Sequence, residues 1–159
     1  MAQPIVFNAT FEDVLWDTAK LAIAYFLALP IGWNREREGH SAGLRTFPIV
    51  SVAACGFAMV GMAIPNANSD SHSRILQGLI TGIGFVGGGA ILRDQDTVRG
   101  TATAASIWLI GIVGAAVGLG MYHIAVVLTV INFLTLKVLT PFKHRLDAES
   151  PSRNGRDSG

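Results

Sequence analysis

Five stretches of this sequence contain no lysine, arginine, aspartate or glutamate, and this pattern most restricts how the chain can fold. They cover residues 21–33, 46–64, 75–92, 101–120 and 124–136. A helix needs about 20 apolar residues to cross the hydrocarbon core of a bilayer, which is about 30 Å thick. The three middle stretches have this length. The outer two reach it when flanking residues such as Trp16 and Lys137 lie among the lipid headgroups.

The composition favours a membrane protein over a soluble helical bundle. Charged residues make up 14% of the chain, against about 25% in soluble domains. We therefore predict an all-α membrane protein, a bundle of about five transmembrane helices within residues 16–140. The predicted spans are 16–33, 46–64, 75–92, 101–120 and 123–140. Residues 1–15 are predicted to be an outer N-terminal segment and residues 141–159 a disordered cytoplasmic tail.

The distribution of basic residues predicts how these spans are oriented. Ten of the 12 lysines and arginines fall on one side of the five spans, and Lys20 and Arg74 are the exceptions. Cytoplasmic loops of membrane proteins carry an excess of such residues. We therefore expect the basic side to face the cytoplasm of a bacterium, with the N-terminus outside the plasma membrane and the C-terminus inside.

Several function classes find no support in the sequence. The net charge of +1 and the lack of a basic stripe interleaved with aromatic residues argue against a nucleic-acid partner. Residues 82–87 match the dinucleotide fingerprint G-x-G-x-x-G literally, but they lie within an apolar stretch instead of between a strand and a helix. No other catalytic motif occurs. We expect membrane lipid as a partner, no cofactor and no enzyme activity.

The two loops on the basic side resemble each other. Arg35-Glu36-Arg37-Glu38 precedes residues 42–46, much as residues 93–96 precede residues 99–103. Two similar hairpins in the same orientation would form a tandem parallel repeat, with spans 1 and 2 as one unit and spans 3 and 4 as the other. The alternative is that the loops are alike only because cytoplasmic loops are generally basic.

Glycines are concentrated in the third and fourth predicted spans. Pairs four residues apart allow two helix backbones to approach closely. Many glycines can also mark a locally broken helix at a transporter substrate site. The sequence leaves open whether this surface serves packing alone or packing and substrate binding. The residues concerned are Gly78, Gly82, Gly84, Gly87, Gly88, Gly89, Gly111, Gly114 and Gly118.

The charged residues of the two basic-side loops are the second group of candidate site residues. Mg²⁺ prefers oxygen ligands and uses one or two carboxylates, so Glu36 and Asp94 are candidate metal ligands at an ion entrance or sensor. Alternatively, the carboxylates form salt bridges between the loops and so set the two hairpins against each other. The group comprises Arg35, Glu36, Arg37, Glu38, Arg45, Asp94, Asp96 and Arg99.

Long motifs in these loops and spans resemble the MgtC/SapB family of bacterial inner-membrane proteins. The similarity runs from about residue 24 to residue 138. It is carried by Gly32, Arg35 and Glu36, by Ala-Gly-Leu-Arg-Thr at 42–46, and by the blocks at 74–75, 82–92, 98–108 and 114–122. The sequence departs from the family in two ways. Phe47 stands where a histidine is usual, and we expect a short form that lacks the C-terminal soluble domain of the MgtC-type branch.

The resemblance implies a role in magnesium homeostasis and in growth under Mg²⁺ limitation. Two functions of different classes follow from it. One is a transporter or channel-like component for Mg²⁺. The other is a regulatory membrane module that transports nothing and acts on another membrane complex, such as the F-type ATP synthase. The corresponding partners are Mg²⁺, another membrane protein, or further copies of the chain in a homo-oligomer.

Overall fold

The computed structural model describes residues 10–40, 42–64, 69–94 and 97–149. Within these residues five helices follow one another along the chain, and two short strands lie between the third and the fourth. The helices are α1 (Phe11–Arg37), α2 (Thr46–Met62), α3 (Ser69–Gly89), α4 (Thr101–Gly118) and α5 (Tyr122–Glu149), and the strands are β1 (Leu92–Asp94) and β2 (Thr97–Arg99). The prediction of an all-α bundle of about five helices is confirmed, apart from the small β-hairpin.

Among the described residues, three helices are long and apolar enough to cross a membrane. They are α1, α4 and the Tyr122–Leu139 part of α5. Helix α2 is also apolar but has 17 residues. Helix α3 begins with the polar residues 69–74, so its apolar part is shorter than the helix itself. By length and composition, then, this is a membrane protein in which α2 and α3 are the less typical spans.

Helix α4 lies at the centre of the bundle, in contact with each of the other four helices. It has no polar face, and ten of its 18 residues are buried. A helix that is apolar all round is expected to be surrounded by other helices. The fully buried side chains of Ile107, Ile110 and Val113 pack here with Ile31 of α1 and Phe47 of α2.

Helices α1, α2 and α4 meet at the level of Ser51. The Ser51 hydroxyl donates to the Ala24 carbonyl oxygen at 2.8 Å, and a Cβ added to Gly114 would overlap the Ser51 carbonyl oxygen. One turn further along both helices, a Cβ on Gly118 would lie 2.6 Å from the Cys55 carbonyl oxygen. Helices α2 and α4 therefore run parallel to each other, as expected for two hairpins in the same orientation.

Both ends of the helical region differ from the sequence prediction. Helix α1 begins at Phe11, because Thr10 and Asp13 form a capping box that satisfies the first backbone donors. At the other end α5 continues to Glu149, nine residues past the predicted end of the helical domain at residue 140, and the disorder of residues 141–159 stays a prediction. Lys, Arg, Leu, Ala and Glu predominate there, and these residue types favour helix propagation. Residues 150–159 lie outside the described part of the chain.

Helix α3 ends at Gly89, three residues before the predicted end of the third span. The Ala90 and Ile91 amides bond to the carbonyl oxygens of Gly87 and Gly88, which tightens and ends the helix. Strand β1 then pairs antiparallel with β2, with Leu92 opposite Arg99 and Asp94 opposite Thr97. The second loop is therefore a short β-hairpin, whereas residues 38–45 contain neither strand nor helix in the part described.

Candidate functional site at the basic end

One end of the bundle collects the loop charges that the sequence singled out. We call it the basic end and define it as residues 35–45, between α1 and α2, together with residues 90–100, between α3 and α4. Helices α1 and α3 end here, and α2 and α4 begin here. The described residues of the two loops lie at this end because the helices alternate in direction.

Glu36 ties the first loop to the end of α1. The Leu44 backbone N–H donates to Glu36 Oε2 at 3.1 Å, and a Cβ on Gly43 would overlap the same oxygen. The loop also approaches α1 closely, because a Cβ on Gly32 would lie 3.2 Å from the Gly43 carbonyl oxygen. The Glu36 carboxylate thus has a structural use, and a cation bound to this oxygen would compete with the Leu44 amide.

Arg35 is buried, which the sequence did not predict. Its side chain is only 2% exposed, and Nη1 donates to Glu38 Oε2 at 3.0 Å. The Nε and Nη2 atoms are closed off from solvent and have no hydrogen-bond partner among the described residues. His40 Nε2 also lies 3.3 Å from Glu38 Oε2. The signal in the sequence was the spacing of Arg35 from Ala24, Ala28 and Ile31, which places all four on the buried stripe of α1.

Of the other candidate charges, the arginines lie at the surface. Arg37, Arg45, Arg93 and Arg99 are exposed. Asp94 lies in β1, and Asp96 is outside the described part of the chain. Among the described side chains no ion pair joins the two loops, and no group of three or more His, Cys, Asp or Glu residues could hold a metal ion. Neither the loop-to-loop salt bridge nor a preformed metal cluster is found in this part of the chain.

The nine candidate glycines fall into two groups. Four of them, Gly87, Gly111, Gly114 and Gly118, allow close approach between helices. A Cβ on Gly87, for example, would lie 3.2 Å from the Ala104 carbonyl oxygen. At the other five positions an added Cβ would meet nothing within 4 Å in the described chain. These are Gly78, Gly82, Gly84, Gly88 and Gly89.

Gly84 thus meets no described atom of α4, although it belongs to the same glycine-rich stretch as Gly87. Helix α3 turns a different side toward α4, the side that carries the buried Ile83 and Gly87. Most of the remaining surface of α3 is exposed, including Phe85 at 85%. We call this surface the open α3 face. It consists of Gln77, Gly78, Thr81, Gly82, Gly84, Phe85, Gly88 and Gly89, all of which are exposed.

A cavity of about 250 Å³ lies between α3, α4 and the beginning of α5. Its lining includes Leu79, Ile83, Gly111, Ala115 and Leu119, and every lining residue is apolar or glycine. A hydrated cation would lose water ligands here and gain no oxygen ligand from a side chain. This cavity is thus suited to an apolar group.

A polar contact joins α4 and α5 inside the bundle. The Ser106 hydroxyl donates to Asn132 Oδ1 at 3.1 Å, and both residues are buried. Asn132 Nδ2 and Thr129 Oγ1 are buried without a hydrogen-bond partner among the described residues. Such amides and hydroxyls hold membrane helices together. This contact fixes α5 against α4 in the half of the bundle that is nearer the basic end.

Comparison with known proteins identifies relatives over most of the chain. The model of the MgtC family matches residues 21–145. The chain is 35% identical over 143 residues to the protein SrpB of Synechococcus elongatus, covering 82% of this chain and 77% of that one. No solved structure matches.

Two further relatives carry more informative names. YhiD of Escherichia coli K12, whose name provisionally assigns it to magnesium transport, is 31% identical over 80% of this chain and 62% of its own length. The protein MgtC of Brucella abortus is 33% identical over 85% of this chain and 56% of its own length. The chain thus spans only part of these longer relatives. The family model covers far more than half of the sequence, and the chain belongs to the MgtC family.

Proposed function

We propose that this chain is a component of magnesium homeostasis in the bacterial plasma membrane, with its basic end toward the cytoplasm. The observation that carries the proposal is the family match over residues 21–145, together with the name of the relative YhiD. The orientation is supported by the excess of arginine and lysine at the basic end. The apolar helices α1, α4 and α5 support a membrane location.

Mg²⁺ transport is the more specific form of this proposal. The chain would conduct Mg²⁺ by itself, with the basic end as its cytoplasmic mouth. Glu36 is the best-placed described carboxylate at that end, although its oxygen already accepts the Leu44 amide. The apolar cavity between α3 and α4 does not supply oxygen ligands. A transport route would therefore need a conformation in which other groups line the path.

Regulation of another membrane complex, such as the F-type ATP synthase, is the second candidate. The open α3 face favours it, because no described residue covers the five glycines and Phe85 there. In a bilayer, small residues on a helix surface promote close contact with another helix. A regulator needs only such a contact surface, whereas a transporter needs a route through the bundle.

The experiment that separates the two candidates is Mg²⁺ flux into proteoliposomes that hold only the purified chain. Flux above that of empty liposomes supports transport. If flux is absent while the same chain restores low-Mg²⁺ growth in a deletion strain, regulation is supported. A Phe85→Ala variant serves as the matched probe of the open α3 face, since it should impair growth only in the regulatory case. A chain that restores no growth and carries no flux would contradict a role in magnesium homeostasis.

A further inference from the structure

Arg35 has two hydrogen-bond donors for which the described chain supplies no acceptor. Nη1 is engaged by Glu38, but Nε and Nη2 are buried and unpartnered. Leaving a buried donor without a partner costs free energy, and the cost is greater for a charged group. An unsatisfied group of this kind often indicates a bound water or ion. We therefore expect a hydrogen-bond acceptor beside the Nε and Nη2 atoms of Arg35.

Arg35 lies level with the first turn of α4. Ala24 and Gly114 meet at Ser51, and α1 and α4 run in opposite directions from that point. Arg35 follows Ala24 by 11 residues, and Thr103 precedes Gly114 by 11 residues. At about 1.5 Å per residue both lie about 16 Å from the Ser51 level.

Burial and helix contacts are consistent with this placement. Both Arg35 and Thr103 are buried, at 2% and 3% exposure, and α1 contacts α4.

The first turn of α4 is open to an acceptor. Its N-cap residue, Gly100, provides no side-chain cap, and no acidic residue occurs in the turn. A capping side chain cannot be accommodated at Gly100, because φ is +86° and a Cβ would overlap the Ala90 carbonyl oxygen. The first amides of a helix carry partial positive charge and bind anions readily. No side chain of this first turn neutralises that partial charge.

We propose that Arg35 and the first turn of α4 form a binding site for a phosphate-type oxyanion. All the open groups are donors, and the planar guanidinium can present two parallel N–H bonds to a phosphate oxygen pair. Glu38 holds the third edge of the guanidinium and so fixes its orientation. The site lies at the end of the bundle. The oxyanion can therefore belong to a phospholipid headgroup or to soluble phosphate, and the two sources share this chemistry.

The test compares the full-length wild-type chain in detergent with an Arg35→Lys variant and the matched control Arg37→Lys. Arg37 is exposed at the same end of α1, so Arg37→Lys makes the same arginine-to-lysine change at a position that is not buried. Thermal unfolding with inorganic phosphate, against chloride at equal ionic strength, measures the soluble ligand. Native mass spectrometry with added phosphatidylglycerol measures the lipid. Arg35→Lys should weaken binding about tenfold, because lysine loses the planar fork, while Arg37→Lys should bind as wild type.

The outcomes decide both the site and the source. If phosphate stabilises the wild-type chain but not Arg35→Lys, the ligand is soluble phosphate. If phosphate has no effect, and the wild-type chain retains phosphatidylglycerol while Arg35→Lys does not, the ligand is a lipid headgroup. Equal binding in both lysine variants would overturn the proposal. Because Arg35→Lys could fail to fold, wild-type chain is also titrated by ³¹P NMR. Phosphate or lipid signals that neither broaden nor shift would overturn the proposal without any variant.

Discussion

Gly114 of α4 lies directly against the backbone of Ser51 in α2. A Cβ at position 114 would overlap the Ser51 carbonyl oxygen and lie 2.8 Å from the carbonyl carbon. On the other side, the Ser51 hydroxyl donates to the Ala24 carbonyl oxygen at 2.8 Å. One residue of α2 thus links α1 to α4 at the centre of the bundle, and a side chain at position 114 would separate these helices.

Gly114→Ala is therefore expected to destabilise the bundle by about 1–3 kcal/mol, the usual cost of overpacking a well-packed core. The neighbouring atoms belong to the backbone, which cannot rotate away as a flexible side chain can. Thermal unfolding of the purified chain in detergent, followed by circular dichroism, measures the effect.

Gly84→Ala is the matched control. It places the same methyl group on α3, where no described atom lies within 4 Å. Alanine has the higher helix propensity by about 1 kcal/mol, so this variant should be as stable as wild type or slightly more so. Equal destabilisation by the two variants would show that the open α3 face is covered by another helix, or that Gly114 does not limit packing.

Glu36→Ala should loosen the first loop at the basic end. The variant removes the acceptor for the Leu44 amide, and we expect a loss of about 1 kcal/mol for a solvent-accessible hydrogen bond. Glu36→Gln retains an acceptor oxygen and should lose less. Limited proteolysis of the loop, with unfolding temperature as a second readout, compares the variants. Arg37→Ala, exposed one residue further on, is the control and should be cut at the wild-type rate.

The helices could be predicted from the sequence because charge-free stretches of membrane length have few other solutions. The residues at which the helices end were harder to predict from the sequence. The third stretch is apolar through Leu92, yet α3 ends at Gly89, because local hydrogen bonds of Ala90 and Ile91 close the turn. The pairing of β1 with β2 also escaped prediction, since three-residue strands show too few alternations to be recognised.

The site was less predictable than the fold. Burial of Arg35 depends on how α1 is rotated in the bundle, and the sequence presents it as one of several loop arginines. The glycines of α3 and α4 look alike in sequence, but only the rotation of α3 decides that Gly87 packs and Gly84 does not. Glu36 was expected to meet an arginine or a cation, whereas the Leu44 backbone amide of the same loop donates to its carboxylate.

The orientation of the chain remains a prediction from its basic residues, and reporter fusions can test it. One fusion is placed between α2 and the apolar part of α3, within residues 65–74, and the other after Leu146. We expect the first reporter to be active outside the plasma membrane and the second in the cytoplasm. Reporters on the same side would contradict the crossing of all five helices, and reporters on exchanged sides would contradict the orientation alone.

A charge-swap cycle tests whether the two loops form a salt bridge in the cell. Arg99 is exposed, and no ion pair links it to the first loop among the described side chains. Glu36→Arg should impair growth at low Mg²⁺, because arginine cannot accept the Leu44 amide. Adding Arg99→Glu should not restore growth, so the coupling between the two changes should be near zero. Growth across a magnesium series measures this, with immunoblots to confirm equal amounts of protein.

The same series separates the structural use of Glu36 from a metal-ligand role. Glu36→Gln keeps an oxygen for the Leu44 amide but removes the negative charge that a Mg²⁺ ligand supplies. If the carboxylate only fixes the loop, Glu36→Gln should grow nearly as wild type, and Glu36→Ala should grow worse. If the carboxylate binds Mg²⁺, both variants should fail at low Mg²⁺. We expect the first pattern, because the described oxygen already has a partner at 3.1 Å.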